Sequence, residues 1–355
     1  MVAVEGGEEG FMSACLAIHH REGSFSDRWL EFCGERGIPH KAVDCYRSDI
    51  LAELASCSGL LWHWYHGLSK DLLMARHVIQ GAEMMGLKVF PNMATCWHFD
   101  DKVAQKYLLE AVGAPLAPTF VFYDLGDALR WIDKESFPKV LKLRRGAGAR
   151  NVQLVHTAAE ARRLARRAFG AGFKPVGGPF ADAATRFQNV RRRGDVWGAI
   201  KRLPRSLLNV YRSNAQIGRE RGYIYFQEFM PGNTFDTRIT VIGRRAFGFT
   251  RNVRPDDFRA SGSGSIEYDL KRVSLDCVRI AFDVSRKTGS QSMAFDFVLD
   301  PDGRQRIVEV SYGYLASAVY ACEGYWDEGL AWHEGHVWPQ DAILEDLMAA
   351  CEKGA

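Results

Sequence analysis

The sequence predicts an α/β unit followed by an α+β unit, and three observations carry that reading. Strand-like and helix-like stretches alternate between residues 11 and 90. Strands dominate from Tyr223 onward. Near the end, "AFDFVLDPDGRQRIVEVS" reads as a hairpin turning at 300–303. At 355 residues, 47% hydrophobic and 25% charged, the chain has room for two or three domains and is globular rather than disordered.

The elements follow in order. "FMSACLAI" is a strand, and "SDRWLEFCGERG" a helix with Ser26 as N-cap candidate and Gly37 at its close. "KAVDCY", "SDILAELA", "GLLWHWY", "DLLMARHVIQGAEMMG" and "KVF" continue the alternation, which implies a small parallel sheet with helices on its faces. No GxGxxG follows the first strand, so no dinucleotide site is expected there. "DDKVAQKYLLEAVG" is an amphipathic helix, with apolar Val103, Tyr107, Leu108 and Val112. After "TFVF", the helix "GDALRWID" and the strand "FPKVLKL" comes a glycine loop, "RRGAGAR". "NVQLVH" is a strand, and "TAAEARRLARRAFG" a helix with a capping box, Thr157 and Glu160. The strands "YIYFQEFM", "TRITVIG", "RAFGFTR", "MAFDFVLD" and "QRIVEVS" follow, with a helix at 274–288 between them and a terminal helix in "PQDAILEDLMAACEKG".

Composition narrows the function. The acidic, glycine-rich residues 1–10 read as a frayed terminus rather than a signal peptide. No apolar run approaches the roughly 18 residues that span a membrane. Eight scattered cysteines without a CxxC pair read as reduced thiols of a cytoplasmic protein. The net charge of +3 hides a block at 162–221 with fifteen basic and three acidic residues. Within it, Trp197, Ile200, Leu203, Leu207, Leu208 and Tyr211 are spaced like one helical face. Two readings stand: a packed helix with a solvated basic face, or contact through 190–212 with an anionic membrane surface at its inner face. Nucleic acid is not expected, because no stacking platform accompanies the charge.

Three motifs carry chemistry. If Leu299 pairs with Arg304 in the hairpin, Asp296 faces Ile307, Ala294 faces Glu309, and Asp296, Glu309 and Ser311 share one face. Two carboxylates among apolar neighbours cost free energy unless compensated, and Mg²⁺ with phosphate oxygens would compensate them; a solvent-facing amphipathic sheet is the other reading. Lys142 precedes the glycine loop on the face of Val140, which suits an anion, and glycine N–H groups can approach phosphate; an exposed turn is the alternative. In "QEFMPGNTFDTR", Asp236 and Arg238 point the same way, as a site pair or as a surface ion pair. His63/His66 and His333/His336 lack the spacing and third ligand of a zinc site. His19, His20, Ser24 and Ser26 are either a connecting loop or part of a second-substrate site at the end of the first strand. Trp62, Trp64 and Trp97 read as core.

The order of these motifs over about residues 90–315 resembles the ATP-grasp superfamily, in the branch of carboxylate–amine ligases similar to glutathione synthetase and ribosomal-protein glutamate ligases. The resemblance implies an ATP-grasp fold with an N-terminal Rossmann-like (pre-ATP-grasp) domain at 11–95. It implies an N-terminal lobe at 96–226, with a basic insertion at about 170–222, and a C-terminal lobe with the metal site at 227–355. It implies ATP and Mg²⁺. Lys102 and Lys142 would contact the phosphates under a mobile loop of Gly146, Ala147 and Gly148. Gln227 would lie near the phosphates, the backbone of Glu228 and Phe229 would read the adenine edge, and Asp236 would lie near the ribose. Arg238, Arg251 and Arg259 would face the γ-phosphate and an acyl phosphate, and Asp296, Glu309 and Ser311 would hold Mg²⁺. Two departures stand out: serine at 311 and at 261, where asparagine is usual in the family.

The activity so implied is ligation of a small-molecule amine to a carboxylate, the acceptor being an anionic glycan or a lipid-linked precursor of surface-polysaccharide biosynthesis. A phosphotransferase and a non-catalytic ATP-binding regulator are the alternatives.

Overall fold

Four short parallel strands, β1 (Leu16–His19), β2 (His40–Val43), β3 (Gly59–Leu61) and β4 (Lys88–Phe90), form the first sheet in the order β2-β1-β3-β4. Helices α1 (Phe25–Arg36), α2 (Ile50–Leu54) and α3 (Ser69–Met84) connect them, as the alternation predicted. The first helix is capped by Ser24, not Ser26. Ser26 lies inside α1, buried, where its hydroxyl donates to the Arg21 carbonyl. Gly37 closes α1 with φ of 62°, a left-handed turn that glycine adopts without strain.

The computed structural model describes residues 15–146, 151–174, 218–254, 257–260, 262 and 264–353. The expected frayed terminus at 1–10, Ala147 and Gly148 of the glycine loop, the basic stretch 190–212 and Ser261 lie outside the described residues.

After the one-turn helix α4 (Met93–Cys96), α5 (Lys102–Ala111) packs on the third layer of strands described below. Next, β5 (Thr119–Phe122), α6 (Leu125–Ile132), β6 (Lys139–Lys142), β7 (Val152–Val155), α7 (Ala158–Phe169) and β8 (Ile224–Glu228) build an antiparallel sheet in the order β5-β8-β6-β7, covered by α6 and α7. Thr157 caps α7 as expected, and Glu160 reaches back to the His156 N–H, one residue before the cap. The chain between Phe173 and Glu220 leaves and returns at one point, where these two residues exchange backbone hydrogen bonds.

A seven-stranded antiparallel sheet completes the fold. It comprises β9 (Phe235–Ile242), β10 (Arg245–Asn252), β11 (Ile266–Glu267), β12 (Ser292–Leu299), β13 (Gln305–Ser311), β14 (Gly324–Trp326) and β15 (Trp332–Glu334), with the order β13-β12-β9-β10-β14-β15 and β11 on β10. Helix α8 (Leu275–Thr288) covers one face, α9 (Ala316–Tyr320) follows the last long strand, and α10 (Pro339–Glu352) returns to pack on α1. The pair β14–β15 was not anticipated from the sequence, because neither strand exceeds three residues.

The register of the hairpin differs from the expectation. Leu299 pairs with Gln305 and Phe297 with Ile307, and then the ladder shifts, so that Asp296 faces Glu309 and Ala294 faces Ser311. The extra residue is Val308, a β-bulge. Without it the turn register would set Glu309 opposite Phe295, on the other face from Asp296, because strand side chains alternate. The bulge brings the two carboxylates together.

Tyr312, one residue beyond β13, joins the first sheet to the last. It is fully buried against Trp64 and Phe99, and its hydroxyl donates to the Trp64 carbonyl at 2.9 Å. Trp62 and Trp64 are core, whereas Trp97 is exposed, contrary to expectation. Tyr312→Phe leaves the Trp64 carbonyl without its donor. It should lower stability by about 1–3 kcal/mol, seen as a lower urea midpoint with an unchanged slope; an unmoved midpoint would show the bond to be idle.

Candidate active site

The helix motif "DDK" organises one wall. Asp101 is the N-cap of α5, its carboxylate accepting from the Val103 and Ala104 N–H groups. Lys102 is therefore the first helical residue, where the positive helix end disfavours a cation. It is nonetheless buried, and its ammonium donates to the Gly146 carbonyl at 2.7 Å and lies 3.1 Å from Glu309 Oε1. Asp100 precedes the cap with φ of 55°, left-handed, and its carboxylate accepts the Gly146 N–H at 2.9 Å.

The root of the glycine loop is thereby fixed from several sides. The Arg144 carbonyl accepts the Lys102 N–H, and the Arg144 N–H donates to the Tyr223 hydroxyl at 2.6 Å. That hydroxyl in turn donates to buried Glu220. Gly146 has φ of 124°, and a Cβ there would meet the Asn151 amide at 2.5 Å, so no other residue fits without displacing that side chain.

Lys142, at the end of β6, is buried and donates to the carbonyl of Val308, the bulged residue, at 3.0 Å. Burial pushes its pKa down to about 8, with Lys102 adding to the effect against Glu309 and Asp296. Across the sheet, Arg238 stands opposite Asp296 and binds it in a two-pronged fork at 2.7 and 2.8 Å. Arg251 stands opposite Asp236, binds it in a second fork, and reaches Asp296 at 2.8 Å. Burial raises the Asp296 pKa, but the two guanidinium groups overcome it and hold the carboxyl below its ordinary range. Asp236, with burial dominant, is pushed up.

The structure thus brings together Lys102, Lys142, Gly146, Asp236, Arg238, Arg251, Asp296 and Glu309 of the sequence-predicted set. Gln227 is buried on β8, with its amide donating to Thr119 and Tyr225. The Glu228 N–H is taken by the Pro118 carbonyl, and its carboxylate by Lys139 at 2.5 Å. Phe229 packs edge-on to Phe258. Arg259 forks onto Asp257. Ser311 donates to the Gly313 carbonyl and accepts its N–H, closing a local turn.

A hard, oxygen-seeking cation fits Glu309, which is partly exposed and carries Lys102 on one oxygen. The Asp296 and Ser311 oxygens already have partners within the protein.

Sequence reasoning missed Asp100, Tyr223, Lys139 and the Val308 carbonyl. For Lys139, a charge inside the apolar run "FPKVL" was the available signal. The other histidine features resolve into ordinary contacts. The ring of His63 stacks on Phe25, and burial pushes its pKa down to about 3. His333 pairs with Asp327, and His336 meets the Tyr320 and Cys322 carbonyls. His19 accepts the Cys45 N–H from just beyond the end of β2, and His20 contacts Ser26 and Asp27 on α1.

No family profile matches the chain, and no curated protein does. Solved structures do. A RimK domain ATP-grasp protein from Sphaerobacter thermophilus matches with a TM-score of 0.54 at 15% identity, over 94% of this chain and all of the other. The D-cycloserine synthetase DcsG matches at 0.57 and 14%, over 94% and 100%. D-Alanine–D-alanine ligase from Bacillus anthracis, in complex with ATP, matches at 0.54 and 11%, over 97% and 99%. At such identities the likeness is one of fold.

Asp100→Ala removes the acceptor of the Gly146 N–H and strains a left-handed position, whereas Asp100→Asn keeps both features. Losing about 1 kcal/mol of hydrogen bond should speed hydrogen exchange at the Gly146 amide by about fivefold in the alanine variant. Equal exchange in wild type, alanine and asparagine forms would show that Asp100 does not hold the loop.

Proposed function

We propose that this chain, which has the ATP-grasp fold, is an ATP-dependent ligase joining a carboxylate to an amine. The observation that carries the reading is the convergence of buried Lys102, Lys142 and Arg251 and partly buried Arg238 beside the root of the glycine loop. Cations so concentrated in low dielectric match a polyphosphate.

In this reading Lys102 and Lys142 exchange their protein acceptors for phosphate oxygens. Arg238 and Arg251 hold the transferring phosphoryl group, with planar forks suited to bidentate contact. The substrate carboxylate attacks the γ-phosphorus, the bond to the bridging oxygen breaks, and ADP leaves. The amine then attacks the acyl carbon, loses a proton, and inorganic phosphate departs. Excluding water from the site protects the acyl phosphate from hydrolysis. Mg²⁺, when bound at Glu309, supplies charge neutralisation to the phosphate oxygens. The backbone after β8 reads the base, and Asp236 lies toward the ribose. The basic block at 162–221 supports an anionic acceptor, a glycan or a lipid-linked precursor. Of the alternatives, a non-catalytic nucleotide-binding protein is favoured by one observation, the Ser311 hydroxyl folded onto Gly313.

ATP turnover across a panel of amines and carboxylates tests the reading. ADP release should need a substrate and fall by at least about a hundredfold in Glu309→Ala, as for loss of an electrostatic stabiliser. Tight ATP binding with no turnover under any pairing would favour the non-catalytic alternative.

Lys142 gives the pH dependence. Its folded-state pKa of about 8 is depressed, so in the free protein it is charged below that value and neutral above. Affinity for a non-hydrolysable ATP analogue should fall as pH rises through about 8, by up to about tenfold per pH unit. Lys142→Met should bind more weakly and lose this limb. A flat wild-type profile would exclude Lys142 as a phosphate contact.

A further inference from the structure

The three residues predicted to share a cation have different surroundings. Asp296 is 3% exposed and accepts three charged N–H groups, two from Arg238 and one from Arg251. A carboxylate offers about four acceptor directions, so little capacity is left. Both guanidinium groups are anchored by the backbone register. Arg238 is the direct cross-strand neighbour of Asp296, and Arg251 that of Asp236, which binds it in turn. Cβ atoms of such neighbours lie only about 4.5–5.5 Å apart, so the fork between Arg238 and Asp296 forms without any shift of β9 or β12.

A divalent cation on Asp296 would therefore stand beside two guanidinium groups. The site already carries four cations, Lys102, Lys142, Arg238 and Arg251, against three acids, Asp236, Asp296 and Glu309. Adding charge of the same sign there is costly in a buried place. Ser311 offers no counterweight, since its hydroxyl is engaged on both sides by Gly313. Glu309 differs: its side chain is 29% exposed, and the ion pair it makes, with Lys102, is on Oε1.

We infer that Asp296 is a positioning residue that holds Arg238 and Arg251 on the phosphate face, and that the chain carries one divalent cation per bound nucleotide, on Glu309. The inference rests on the nucleotide-site reading above. Mg²⁺ commonly binds through a single carboxylate completed by phosphate and water. The cation should therefore enter with the nucleotide.

The test is a Mn²⁺ titration followed by electron paramagnetic resonance, with and without a non-hydrolysable ATP analogue. Analogue binding is measured separately by calorimetry. Wild type should bind one Mn²⁺ per chain with the analogue, and at least tenfold more weakly without it. Asp296→Asn should keep the single Mn²⁺ while analogue affinity drops at least tenfold, a split that general destabilisation would not give. Glu309→Gln should lose the Mn²⁺. Two Mn²⁺ per chain in wild type, or loss of Mn²⁺ from folded Asp296→Asn, would overturn the inference. The wild-type count decides the matter even if Asp296→Asn does not fold. Failure of the analogue to bind wild type would instead remove the nucleotide-site reading, and the inference with it.

Discussion

Arg238 and Asp296 face each other across β9 and β12, and the fork between them holds the rest of the site in place. Asp296 alone would be an uncompensated charge in the interior, which is strongly destabilising. Arg238 neutralises it, Arg251 adds a second donor, and Asp236 restrains Arg251. Each charge is tolerated because the next one is present. Backbone pairing sets Arg238 opposite Asp296 and Arg251 opposite Asp236, and the Arg251 side chain reaches on to Asp296.

The second wall depends on the first through a bulge. Val308 is the extra residue that turns Glu309 toward Asp296 and leaves a carbonyl for Lys142. Glu309 then receives Lys102 from the start of α5, and Lys102 receives Gly146. One irregularity in one strand thus couples three elements: the hairpin, the helix start and the glycine loop. Bulges placed beside sites often redirect side chains in this way. In this state the lysines bind protein acceptors, so a phosphate ligand would act by exchanging partners rather than by filling bare charges.

The described ends of the segment that follows α7 lie in the same neighbourhood. Phe173 and Glu220 exchange backbone hydrogen bonds, and Glu220 supports Tyr223 under the Arg144 backbone. The root of the insertion and the root of the glycine loop therefore share a buried carboxylate.

Local rules made much of this legible in the sequence. The alternation of strands and helices gave the parallel sheet, the capping box at Thr157 gave a helix start, and charges inside apolar strands marked Lys142, Asp296 and Glu309. These signals are short-range: periodicity, capping and the cost of a buried charge act over a few residues. The tertiary structure decided what depends on distant partners. Alternation counted from the turn could not reveal a bulge, so the same-face pairing of Asp296 and Glu309 was reached through the wrong register. The choice of Ser24 over Ser26 as cap depended on where α1 meets the loop before it. Above all, the sequence shows that Asp296 needs a counter-charge but not which one, because cross-strand register, set by the packing of whole sheets, determines whether an arginine stands opposite it.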